Sequence, residues 1–202
     1  MRAQQGMQAV LREAQPLAIW EGAAAVVVAV STVTIYLASA ANPRIGHMAA
    51  HVFIMNALAP FIAVALSRSG LRQHMPRGAL ALGTAAQIAL LYLSHAPKFA
   101  VHHMQSPAGA FLQLALLLAA VAFWCAILNA NPWRAAAALA IAGKLYCLLG
   151  VLLLFSPHAI GGAQGAAALD DQRAAGLLML AICPLSYLAA AVALAAREIL
   201  RS

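Results

Sequence analysis

The feature that most constrains this chain is a series of uncharged apolar runs, each close to the ~20 residues a helix needs to cross about 30 Å of hydrocarbon. They fall at about residues 17–38, 46–66, 78–94, 108–128, 135–155 and 173–196. The segments between them, "SAANPRIG", "SRSGLRQHMPRG", "SHAPKFAVHHMQSPAG", "NANPWR" and "SPHAIGGAQGAAALDDQ", are rich in the Pro, Gly, Asn and Ser that end helices. Only 8% of the 202 residues are charged, against about 25% for a domain that must cover a water-facing surface. The expected fold class is therefore all-α: a polytopic transmembrane helix bundle of about six spans, forming a single integral membrane domain over residues 1–202 without an internal repeat. Small residues recur along the runs, which suits close helix packing in lipid.

The first run is too long for a signal-peptide core, which extends about 7–15 residues, although "LASA" at Leu37–Ala40 offers small residues at cleavage spacing. It is read as a span. Six spans place both termini on one side, so basic residues can be sorted by side. With the N-terminus inside, Arg2, Arg12, Arg68, Arg72, Arg77, Arg134, Arg197 and Arg201 lie inside, whereas Arg44, Lys98 and Arg173 lie outside. This positive-inside bias predicts a multi-pass protein with both termini cytoplasmic. It also accounts for the net charge of +7 through topology and anionic headgroups, leaving no call for a nucleic-acid partner.

The same topology sorts the histidines. His47 and His51 open the second span from outside, His95, His102 and His103 lie in the next outer connection, and His158 lies in the last outer loop; only His74 faces in. Residues four apart share one helix face, so His47 and His51 can approach one ion together. Met48 and Met55 extend that face inward, and Met179 lies at a depth similar to Met55. Imidazole with thioether suits a soft ion such as Cu(I), while a hard ion would call for carboxylates, of which the chain has only five. A histidine pair at this spacing also fits hydrogen bonding at headgroup depth; six histidines on one face favour a metal role.

Lys144 falls near the middle of the fifth span and Glu21 near the inner end of the first, where a structural or snorkelling charge is the simpler reading. Cys125, Cys147 and Cys183 lie within spans and read as small apolar residues. Trp20, Trp133 and Tyr36 sit near span ends, as an aromatic belt would. Asp170 and Asp171 are expected to cap the start of the sixth span. No Gly-rich phosphate loop, GxSxG, HExxH or paired catalytic carboxylates appear, so the chain is not expected to be an enzyme.

Three segments resemble a known family, the CtaG-type cytochrome c oxidase assembly proteins. "HMAAH" followed by "FIMNALAP" is similar to the family's HMxxH opening of a helix that runs to a proline, here Pro60. "SHAPKF" through "AVAFWCAIL" is similar to its HxP loop and a helix ending in Phe-Trp, here Phe123 and Trp124; "LDDQRAAGLLML" resembles its DQ-x-x-AG-x-x-M segment, here Asp171, Gln172, Ala175, Gly176 and Met179. The likeness runs over residues 16–196, with one departure: Gly109 and Gln113 stand where the family usually has a second HxxxH.

The resemblance implies a bacterial inner-membrane protein that binds copper transiently, as Cu(I), on its outer face and helps metallate cytochrome c oxidase. On this reading the metal ligands are His47 and His51, with Met48 or His95 completing the set. His102, His103, Met55, Asp171, Gln172 and Met179 would be further ligands or supports. The partners would be cytochrome c oxidase subunits and membrane lipid, and homo-oligomerisation stays open. Two other readings compete: a haem-binding or electron-transfer membrane protein using His51 and His95, and a small transporter using Lys144 and Glu21.

Overall fold

The computed structural model describes residues 43–68, 75–76, 78–96, 106–160 and 165–200. Those residues form an all-helical bundle: α1 Pro43–Phe53, a π turn Ile54–Leu58, α2 Ala59–Arg68, α3 Ala79–Ser94, α4 Pro107–Asn129, α5 Pro132–Phe155 and α6 Ala166–Ile199. The expected span at 17–38 lies outside the described residues, as do His74, His102, His103 and Glu21.

Among the described residues, four helical runs are long and apolar enough to cross a membrane: Arg44–Arg68 (α1 through α2), Pro107–Asn129, Pro132–Phe155 and Ala166–Ile199. The chain is thus a membrane-embedded, multi-pass helical protein. At the expected span 78–94 the chain forms the 16-residue apolar helix α3, which rises about 24 Å at 1.5 Å per residue and is shorter than the four runs long enough to cross. Leu82, Phe111 and Phe155 are each at least 73% exposed, an outward apolar surface that lipid rather than water would cover.

Local sequence fixes the helix ends. Ser106 caps α4 by accepting from the Gly109 N–H, and Asn131 caps α5 by accepting from the Trp133 N–H; in both helices Pro takes the first turn, where its missing N–H has no cost. Gly165, at φ 105°, turns the chain into α6 through a conformation that residues with a Cβ rarely adopt. Helix α6 begins at Ala166, seven residues before the expected 173. Asp170 and Asp171 consequently sit inside it, and the expectation that they cap it is corrected: the helix-forming "AAAL" ahead of them extends the helix toward its N-terminus.

The π turn has a local cause and a local remedy. Pro60 has no N–H to give, and Ala59 donates to the carbonyl of Ile54 rather than to that of Met55. The freed Met55 carbonyl accepts from Trp124 Nε1 at 2.9 Å. Trp124, one of the residues carrying the family likeness, therefore clamps α4 onto the run that begins with the histidines.

Helices α5 and α6 pack along the most extensive interface in the bundle. A Cβ on Gly176 would lie 2.9 Å from the Gly150 carbonyl oxygen and 3.0 Å from the Leu154 nitrogen, so the two backbones meet directly, as small residues permit in lipid. The core holds Met48, Met55, Leu91, Phe123, Tyr146, Met179 and Tyr187. Gln87 is buried among them and donates to Tyr187 OH at 2.7 Å.

Candidate metal centre

Alternation of the helices brings the start of α1, the end of α3, the start of α4, the end of α5 and the start of α6 to one end of the bundle. Arg68, Arg134 and Arg197 lie toward the opposite end. Three imidazoles meet at the first end. His47 and His51 come from successive turns of α1, and His95 is the residue that closes α3. Their ring centroids are 4.2 Å apart for His47 and His51, 5.2 Å for His51 and His95, and 5.8 Å for His47 and His95.

One ligand nitrogen from each ring lies within 4.8 Å of the other two. Metal–imidazole bonds of ~2.1 Å set three nitrogens around one ion about 3.6 Å apart in trigonal geometry. Closing the widest pair from the 4.8 Å limit therefore asks for about 1.2 Å of side-chain movement. Imidazoles fit a borderline or soft ion, and no carboxylate among the described residues belongs to the cluster.

Hydrogen bonds determine which nitrogens are available. His95 Nδ1 is 2.9 Å from the Leu91 carbonyl oxygen, which can only accept, so Nδ1 carries the proton. Ser94 Oγ, which donates to the same carbonyl, is 3.0 Å from Nδ1 and holds the ring further. His95 Nε2 is left as a buried lone pair with no partner among the described residues. A buried acceptor without a donor is costly, and here it belongs to the atom a metal would use. Burial also holds the His95 imidazole below its ordinary pKa, while the hydrogen bond to Leu91 acts in the opposite direction.

His47 Nε2 and His51 Nε2 are 2.9 Å apart, so one of them carries a proton that the other accepts. His51 is almost fully buried, at 2% exposed, and its Nδ1 has no partner among the described residues. Ser94 Oγ is 3.3 Å from His51 Nε2. Helix α4 adds a side chain that sequence reasoning marked only as a lost histidine: Gln113, whose Nε2 is 3.2 Å from His47 Nδ1. Its contact with His47 crosses from one helix to another, and no spacing along the chain could reveal it.

A cavity of about 40 Å³ opens beside the triad, lined by Arg44, His47, Met48, Ser94, His95 and Gln172 among others. Met48 thus borders the space next to His47 and His95. Met55 and Met179 are buried in the core and do not line it. Gln172 reaches no histidine side chain. Its Oε1 accepts from the Ile160 N–H at 2.6 Å and its Nε2 donates to the Leu153 carbonyl at 3.1 Å, which fastens the α5–α6 connection over the cavity. Asp171 accepts from the Arg44 backbone N–H, and the Arg44 guanidinium donates to the carbonyls of Ala168 and Ile160. Both residues of the Asp-Gln pair therefore act on backbone around the site.

The remaining candidates stand apart. His158 is exposed and takes part through its carbonyl, which accepts from Ser156 Oγ. Lys144 is exposed on α5. The three cysteines are free, with Cys125 and Cys183 buried. No family model matches the chain, and no match was found among curated proteins or among solved structures.

Proposed function

We propose that this chain is a membrane copper-binding assembly factor, similar in role to the CtaG-type proteins its motifs resemble, that helps metallate cytochrome c oxidase. The observation that carries the proposal is the convergence of His47, His51 and His95 around a buried, unpartnered imidazole nitrogen at one end of an apolar helix bundle. Copper is the cargo. Three neutral imidazoles with the Met48 thioether at the border suit Cu(I) better than a hard cation. The small cavity beside His47 and His95 gives an incoming ligand from the acceptor a place to enter. Handing the ion on is then ligand exchange, with the histidines released one at a time.

In this reading the chain crosses the membrane six times, with 17–38 as its first span, both termini in the cytoplasm of a bacterial cell and the histidine end outside. Arg68, Arg134 and Arg197 at the opposite end support that orientation through the positive-inside bias. A haem between His51 and His95 is disfavoured, because the cavity that His95 lines is about 40 Å³, far below the ~300 Å³ at which small-molecule sites begin, and His51 does not line it. An exposed Lys144 gives little support to a transport path through the bundle.

The functional test is copper in the oxidase itself. Membranes from cells lacking the chain should contain assembled but copper-poor oxidase, restored by the wild-type chain and not by His47→Ala/His51→Ala. Full copper occupancy in the oxidase of the deletion strain would refute the assembly role.

A further inference from the structure

Two nitrogens that bind one ion must both present lone pairs, yet His47 Nε2 and His51 Nε2 are 2.9 Å apart with a proton between them. Binding through both Nε2 atoms requires each ring to carry its proton on Nδ1. For His47 the partner at Nδ1 is Gln113, and its amide nitrogen faces that atom at 3.2 Å. An amide N–H donates, so this arrangement leaves His47 Nδ1 as the acceptor and puts the ring proton on Nε2, the form that cannot bind. The other end of the same amide, Gln113 Oε1, is buried and has no partner among the described residues. Half a turn of the amide would set that oxygen to accept a hydrogen bond from a protonated Nδ1; the ring then loses its Nε2 proton to water and gains one at Nδ1, so Nε2 is free.

We propose that Gln113 is a positioning residue that selects the His47 tautomer: its amide nitrogen holds the ring closed to metal, and its oxygen holds the ring ready to bind. The inference rests on the copper-site reading for its purpose but not for its test. An amide is suited to this task because it offers a donor and an acceptor from one side chain, at the cost of a rotation. A carboxylate can only accept and would hold His47 in its binding form, as in the carboxylate–histidine pairs behind many metal ligands. An alkyl side chain would hold neither. The unpartnered Oε1 is the signature of a side chain that has one of its two roles in use.

The test is long-range ¹H–¹⁵N correlation NMR on histidine-labelled protein in detergent at pH 8, with the His47 resonances assigned by loss in His47→Ala. In the metal-free wild type His47 should be protonated on Nε2, and in Gln113→Glu on Nδ1. Gln113→Leu should give a mixture. Loading with Cu(I), which is diamagnetic, should move the wild-type proton to Nδ1, and Gln113→Leu should bind copper about 10–100-fold more weakly, the usual range for loss of such a partner. A merely space-filling Gln113 would leave the tautomer unchanged in all three chains, which overturns the proposal. Wild-type His47 already protonated on Nδ1 without metal would overturn it too. Failure to take up copper would sink the copper reading alone, because the metal-free comparison still decides the role of Gln113.

Discussion

The carboxylate of Asp171 on α6 accepts a hydrogen bond from the backbone N–H of Arg44 at the start of α1, with Oδ2 3.3 Å from the nitrogen. The first N–H groups of a helix have no partner within it, and an acidic side chain there is favoured by the helix dipole. Asp171 does for α1 what the sequence suggested it would do for its own helix. Because His47 follows Arg44 by three residues, the contact also sets where the first imidazole stands.

Replacing Asp171 by Ala should therefore destabilise the protein by ~1–2 kcal/mol, the usual cost of losing a helix cap, and should lower copper retention at the same time. Asp171→Asn keeps an acceptor and should lose less of both. Thermal unfolding in detergent and copper content after desalting check this together. An Asp171→Ala chain with wild-type stability and copper content would show that the α6–α1 contact does not hold the site.

Trp124→Phe should cost ~1–3 kcal/mol, because it strands the Met55 carbonyl that the π turn has released inside the bundle. Phe preserves much of the ring that packs against Phe123 and Tyr187, so the loss reports the hydrogen bond. The measurement is the unfolding midpoint of the two chains in the same detergent. An unchanged midpoint would remove Trp124 as the clamp on the π turn.

The pH response should be set in part by His95. Its folded pKa is held below the ordinary value by burial, while the unfolded chain takes up the proton near pH 6.5. The unfolded state thus binds more protons as pH falls below about 6.5, and metal-free stability should decline there rather than rise. Copper retention should stay level from pH 8 to about 6.5 and fall only at lower pH, since the ligand nitrogen remains unprotonated. Bound copper measured across pH 4.5–8 checks this. Half-loss at or above pH 6.5 would place the ligands in an ordinary solvated setting.

Much of this architecture was legible in the sequence for a simple reason: lipid demands apolar helices of a set length, and Pro, Gly, Asn and Ser marked their ends. The His47 and His51 pairing was legible too, because both residues lie on one helix and their spacing is local. The arrival of His95 beside them depends on how α3 packs against α1, which spacing along the chain does not encode. Gln113 shows the limit most clearly. The sequence presented it as a departure from a histidine pattern, whereas the folded chain places its amide against His47. Pro60 stood in the sequence only as the proline that the histidine-bearing helix runs to, whereas the carbonyl it helps release and the Trp124 N–H that donates to it meet only in three dimensions. His102 and His103, expected near the site, fall outside the described residues.

The most direct test of the central claim is copper content by mass spectrometry, after anaerobic Cu(I) loading and desalting, for the wild type, His47→Ala/His51→Ala and His95→Ala. About one copper per chain is expected in the wild type and loss of most of it in both variants, because the three imidazoles lie close enough to share one ion. Equal copper in all three, or none in the wild type, would contradict it.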